Sequence, residues 1–177
     1  MSAAVEMPRA DFSAAERAAL FVLSGFGAGY TPFAQGTFGS AVGAAIYVGL
    51  ALAAPAEAGA IALALAAVYF AITWRFGDLA ERVYGEKDPS QVVSDEVGGY
   101  LVTAALLGGL GLGLGARTLF AFLAFRLFDI WKPWPVRRFE SLPGGLGIAA
   151  DDYAAALLAA GSVQALVRAW SSFGGRG

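Results

Sequence analysis

Apolar and polar residues alternate in long blocks along this chain rather than at the short period of a soluble helix or strand. Phe38 to Ala54 carries no charge and is rich in Ala and Gly, and Ala58 to Trp74 is a second such run, parted from the first by Pro55-Ala56-Glu57. Each is about 17 residues long, near the lower limit for crossing a hydrocarbon core. A tight Pro-containing turn between them predicts a helical hairpin dipping into a membrane. The competing reading is a buried helix pair in a soluble, Ala-rich bundle. Arg75 to Glu96 is the most polar region and belongs outside the hydrocarbon, with a helix-like stretch from Asp78 to Tyr84 and a turn at Gly85. Val97 to Phe125 is again almost wholly apolar, interrupted by Arg117. Its middle, GGLGLGLGAR, is too glycine-rich for a robust helix, which predicts a break or re-entrant turn. The two arms would each be roughly 22 Å of helix, short of a full crossing. Pro133, Pro135 and Pro143-Gly144-Gly145 rule out one regular helix from Ile130 to Leu146, and a last apolar helix is expected from about Asp151 to Trp170.

The N-terminal residues 1–23 read as a cytoplasmic lead-in. Met1 to Arg17 is expected to be partly disordered, with a short helix from Asp11 to Leu23 capped by Ser13. Residues 24–171 form one helical domain, and residues 172–177 a disordered tail. The expected fold class is all-α: a compact helical bundle with several membrane-embedded apolar helices and its site loops on one face.

Composition sharpens this picture. The 177 residues are 58% hydrophobic and only 15% charged, against roughly a quarter charged in soluble proteins. A net charge of −2 argues against a nucleic-acid partner. The chain has no cysteine and no histidine. Imidazole or thiolate zinc sites, Ser-His-Asp and Cys-His nucleophiles and phosphohistidine are therefore excluded. Carboxylates, Lys, Arg, hydroxyls and backbone N–H groups remain, a donor set suited to hard cations, chiefly Mg²⁺.

The candidate chemistry lies in four islands at the ends of the apolar runs: Gly25 to Ser40, Lys87 to Glu96, Phe125 to Phe139 and Gly144 to Ala154. If the hairpins hold, all four share one membrane face with Arg75, Arg82, Lys87, Arg126, Lys132, Arg137 and Arg138, which marks that face as cytoplasmic. Arg168 and Arg176 fit this poorly if the last helix crosses, so that helix can lie shallow.

Asp95-Glu96 stands before an apolar helix. Neighbouring helical residues point about 100° apart, so the pair is not expected to chelate one ion simply; one binds metal while the other caps. Both can equally be capping acids, and Asp88 beside Pro89 reads alone as a turn residue. Asp129 and Lys132, three apart, are either an interfacial salt bridge between Trp131 and Trp134 or a metal ligand beside a phosphate-binding ammonium. Arg126 and Arg137 can clamp an anionic head group or simply be positive-inside charge. Asp151-Asp152 follows GGLGIAA, is placed at the start of the last helix, and exceeds what capping needs. The first island, with Thr37 and Ser40, can present backbone N–H groups to phosphate, but it lacks the GKS or GKT of a P-loop.

These islands resemble, in order, motifs of the phosphatidylglycerophosphatase A family over roughly Ser24 to Ala160: GFGAGYTPFAQGTFGS, KDPSQVVSDEVGGY, FRLFDIWKPWPVRRFE and GGLGIAADDYAAA. Gln35 and Ala155 depart from the family's usual Pro and Gly. The resemblance implies a Mg²⁺-dependent hydrolysis of the membrane phospholipid phosphatidylglycerol phosphate to phosphatidylglycerol and inorganic phosphate, at the bacterial inner membrane with the site facing the cytoplasm. On that reading the metal is held by some of Asp88, Asp95, Glu96, Asp129, Asp151 and Asp152. Asp95, Glu96, Asp129, Lys132 and Asp152 carry catalysis. Thr37, Ser40, Arg126 and Arg137 hold substrate. The nucleophile is metal-activated water or a carboxylate. A CDP-alcohol phosphotransferase would need a DG-x-x-AR signature, which is absent, and an ion carrier would place acids mid-run rather than at the ends.

Overall fold

The computed structural model describes residues 12–174, and among these there is no strand. Six helices follow one another: α1 Ala14–Leu23, α2 Gln35–Ala53, α3 Ala58–Tyr84, α4 Ser94–Leu106, α5 Leu114–Trp131 and α6 Gly144–Gly174. Helices α2, α3 and α6 are long and apolar enough to cross a membrane. The all-α membrane bundle read from the sequence is the architecture observed.

Helix α1 begins where Ser13 and Glu16 close a capping box, each bonding to the other's backbone N–H. Its Leu20 and Leu23 are buried against Leu79, Ala80, Val92 and Ile148, so this part of the lead-in is docked onto the domain. Asp11 and the disorder expected before it fall on residues 1–11, outside the described residues. At the other end, helix continues through residues 172–174, into the expected tail; residues 175–177 lie outside the described residues.

Two helices run further than the pattern suggested, and one contact explains both. Helix α3 does not stop at Trp74; it continues unbroken for 27 residues and ends at Gly85 in the left-handed conformation (φ 76°). Gly77, inside it, is not a break: a Cβ there would stand 2.3 Å from the Cα of Gly145. Correspondingly, α6 starts at Gly144 rather than near Asp151, and the Gly145 N–H donates to Asp78 Oδ1 at 3.0 Å. Gly145 therefore serves backbone-to-backbone packing of two helices, Gly144 makes room for the Asp78 side chain, and Asp151-Asp152 sits about two turns inside α6.

The break at Gly108 to Gly113 is present, separating α4 from α5. At 13 residues, about 20 Å, α4 is too short to cross a bilayer. It is the buried centre of the bundle, packed by α2, α3, α5 and α6, with Val97, Tyr100, Leu101 and Ala104 inaccessible to solvent. The Thr73 and Ser94 hydroxyls share a 2.7 Å hydrogen bond that ties α3 to the start of α4.

These packings gather the four islands at one end. The Val93 N–H bonds to Leu23 O at 2.8 Å, and Gly29 and Gly39 abut the backbone of Gln91 and Val93. Lys132 at the end of α5 reaches Asp151 on α6.

Candidate active site

Asp95 and Glu96 lie in the first turn of α4, where the helix N-terminus favours negative charge. Contrary to the angular argument above, they converge: Asp95, Glu96 and Asp152 each offer a carboxylate oxygen within 4.8 Å of the other two. Glutamate's extra methylene lets its carboxylate swing back over its neighbour. Asp95 and Asp152 are buried, and Asp95 Oδ1, Glu96 Oε2 and Asp152 Oδ2 are buried with no hydrogen-bond partner. Three unpartnered carboxylate oxygens in so small a space are costly unless protons or a cation neutralise them. Burial and then the neighbouring Glu96 push the Asp95 carboxyl well above its usual range. Burial raises Glu96 to about 7. An all-oxygen, anionic, inward-facing donor set of this kind fits Mg²⁺.

Two cations flank the triad. Arg126 on α5 lies between Asp129, to which Nη1 donates a hydrogen bond, and Glu96, 3.8 Å away. Asp129 thus spends one oxygen, Oδ2, on Arg126, and Arg126 faces the acids rather than an open head-group clamp. Lys132 caps α5 in the left-handed conformation (φ 43°), donates to Asp151 Oδ2 and pairs with Glu140 at 3.1 Å. Burial alone would lower its pKa, but the hydrogen bond and charge of Asp151 raise it on balance, so it stays an ammonium. Asp151 keeps its other oxygen, Oδ1, unpartnered.

Asp88 stands at the rim, lining a cavity of about 180 Å³ with Lys87, Glu140 and Asp151. The residue is exposed, yet the protein atoms crowding its carboxyl, then Asp151, raise it to about 6. Of the six candidate ligands, the structure joins Asp95, Glu96 and Asp152 directly, puts Asp151 and Asp88 alongside, and pairs Asp129 with arginine.

The first island lies against the cluster through Gly36, and its named polar groups have partners in their own segment. Ser40 is buried and its hydroxyl donates to Gly36 O at 2.9 Å, within its own helix. The Thr37 and Phe38 N–H groups both bond to Ala34 O, so these amides are already engaged. Arg137 is exposed and lines a cavity of about 480 Å³ with Trp131, Lys132, Pro133, Trp134 and Arg138.

Sequence reasoning missed Glu140, the second acid on Lys132, and Tyr153, whose hydroxyl donates to Ala66 O on α3. Glu140 was visible as the acid closing FRLFDIWKPWPVRRFE. Tyr153 carried no signal beyond its place after the Asp pair.

With this geometry established, similarity to known proteins becomes informative. The family model for phosphatidylglycerophosphatase A matches residues 21–167. A protein of Bacteroides thetaiotaomicron named "Putative phosphatidylinositol-3-phosphatase" is 36% identical over 135 residues, 73% of this chain and 80% of that one. The phosphatidylglycerophosphatase A of Haemophilus influenzae is 35% identical over 136 residues, covering 76% and 80%. That of Escherichia coli is 34% identical over 87 residues, 49% of each chain. No solved structure matches. A match that takes in α2 to α5 and most of α6, including every acid of the cluster and Lys132, assigns this chain to the phosphatidylglycerophosphatase A family of lipid phosphatases.

Proposed function

We propose that the chain is a Mg²⁺-dependent phosphatase that removes the terminal phosphate of phosphatidylglycerol phosphate at the cytoplasmic face of the bacterial inner membrane. One observation carries the site assignment: the unpartnered, buried oxygens of Asp95, Glu96 and Asp152 lie next to Lys132 at the end where the apolar helices emerge. Asp95, Glu96 and Asp152 would hold the ion. Bound there, Mg²⁺ would neutralise phosphate charge, polarise phosphorus and acidify water.

The chain's own groups supply the remainder. The Lys132 ammonium, fixed by Asp151 and Glu140, is the donor placed to hold a non-bridging phosphate oxygen as charge builds on it. Arg126 neutralises Glu96 and Asp129, so the pocket can hold several acids without expelling an incoming phosphate. Hydrolysis forms one P–O bond to water and breaks the P–O bond to the glycerol oxygen, and the proton lost by water must end on that oxygen. Asp88, raised to about 6 at the cavity rim, suits the role of carrying it near neutral pH.

The cytoplasmic placement rests on charge. Lys87 bonds Glu140 O, and Lys132, Arg137 and Arg138 line one cavity. Arg75 and Arg82 lie beside Asp78, which bonds the start of α6. Basic residues thus collect around the site, as positive charge does on the cytoplasmic side.

Purified protein in detergent micelles should release phosphate from phosphatidylglycerol phosphate with Mg²⁺, stop in EDTA and recover when Mg²⁺ is restored. Turnover that persists in excess EDTA overturns the metal assignment. Hydrolysis of phosphatidylinositol 3-phosphate but not phosphatidylglycerol phosphate would overturn the substrate.

A further inference from the structure

We propose that the cavity beside Lys132 is a phosphodiester subsite. It would hold the lipid's internal phosphate between Arg137 and Arg138 while the terminal phosphate enters the acid cluster. This rests on the reading of the site as a lipid phosphatase and adds the residues that select its substrate.

The cavity measures about 480 Å³, within the range of small-molecule sites, and Lys132 is one of its walls. The same ammonium bonds Asp151, so cavity and acid cluster share a wall and one ligand can occupy both. Arg137 and Arg138 line it too, and among the described residues neither makes an ion pair with an acid. Of the three cations that line this cavity, Lys132 is neutralised by Asp151 and Glu140, so the two guanidinium charges are the ones left in it for an incoming anion.

The surroundings specify an anion attached to a lipid. Trp131 and Trp134, which line the cavity, are 64% and 76% exposed. Such rings settle at the level of lipid head groups. Arg138 lies over the Trp134 ring, 5.9 Å from its centroid, which holds a guanidinium fork at that same level. A phosphodiester sits at this depth in any glycerophospholipid, and a forked guanidinium suits its two non-bridging oxygens. A lipid bearing both a diester and a terminal monoester would engage both halves; a monoester-only lipid such as phosphatidic acid would leave the arginines without an anion.

The test uses dihexanoyl phosphatidylglycerol, a soluble diester without the monoester, as an inhibitor of phosphate release in the full-length protein. Kept at a small mole fraction of a neutral detergent, it adds little surface charge to complicate the result. The inhibition constant should rise at least tenfold in Arg137→Gln/Arg138→Gln and recover in large part in Arg137→Lys/Arg138→Lys. Inhibition by inorganic phosphate, which reports the acid cluster and Lys132, should shift less than about twofold. Absence of inhibition by the diester in the native protein, or equal shifts for both inhibitors, overturns the subsite. Failure to hydrolyse phosphatidylglycerol phosphate would instead sink the proposed substrate. The same inhibition experiment would then run on phosphatidylinositol 3-phosphate, which carries the same diester.

Discussion

Gly36 leaves no room between α2 and the acid cluster: a Cβ there would lie 2.2 Å from Glu96 Oε1 and 2.8 Å from Arg126 Nη1. The first turn of α2 therefore closes over the Glu96–Arg126 contact, and the first island acts on the site by lying close to it. Gly36→Ala should lower phosphate release at least tenfold, because the ends of the Glu96 and Arg126 side chains must swing away from the new methyl. Both ends are flexible and alanine is the better helix former, so thermal unfolding should change little. Native activity in this variant would remove the contact from consideration.

Neutralising the triad separates activity from stability. Asp95→Asn and Asp152→Asn should each reduce hydrolysis at least about a hundredfold, yet unfold in EDTA at the native temperature or above, because each removes one of three mutually repelling acids. Asp129→Asn should fall less, its carboxylate being spent on Arg126. Native turnover in either of the first two variants ends the shared-site account.

Lys132 and Asp151 form a pair that can be broken or removed whole. Lys132→Met alone strands a carboxylate whose side chain is only 3% exposed, and should cost roughly 3–5 kcal/mol. Lys132→Met/Asp151→Asn should regain most of that stability and none of the activity. A double variant as unstable as the single one would show that the pair does not account for the loss.

Stability without metal should depend on pH in a definite direction. The Glu96 carboxyl rises from 4.5 to about 7 on folding, so between those values the folded chain binds more protons than the unfolded one. Stability in EDTA therefore falls as pH climbs from about 4.5 to 7, and the protection given by added Mg²⁺ grows over the same interval. Thermal unfolding at several pH values, with and without Mg²⁺, reads both trends. A flat or rising EDTA curve contradicts the assignment.

The sequence made the bundle and its site legible to different depths. Uncharged runs flanked by Pro-Ala-Glu or by the glycine tract announced α2, α3 and the break after α4, because bilayer crossing and glycine entropy are local properties. The extent of α3 was hidden because its charged second half, from Arg75, reads as a separate polar region, and that of α6 because Pro143-Gly144-Gly145 looks like punctuation. The missing side chains of Gly77 and Gly145 in fact let two distant helices touch, a pairwise fact that neither segment carries alone. The same holds within the site. Asp95, Glu96 and Asp152 were each named, but not the convergence of the first two, since an angular rule for backbones ignores side-chain length. That the Ser40 hydroxyl and the Thr37 amide already bond within their own helix was likewise invisible in the motif.

Helix α5 has a further consequence for how substrate arrives. Leu119, Leu123, Leu127 and Ile130 are exposed along it and lead up to Trp131 and Lys132. This row is a ramp on the outside of the protein, so the fatty tails can stay among their neighbours in the bilayer while the head alone climbs to the catalytic end. Turnover should then be nearly indifferent to tail length and saturation in vesicles of matched fluidity, and a steep dependence on either would show that the tails are gripped after all.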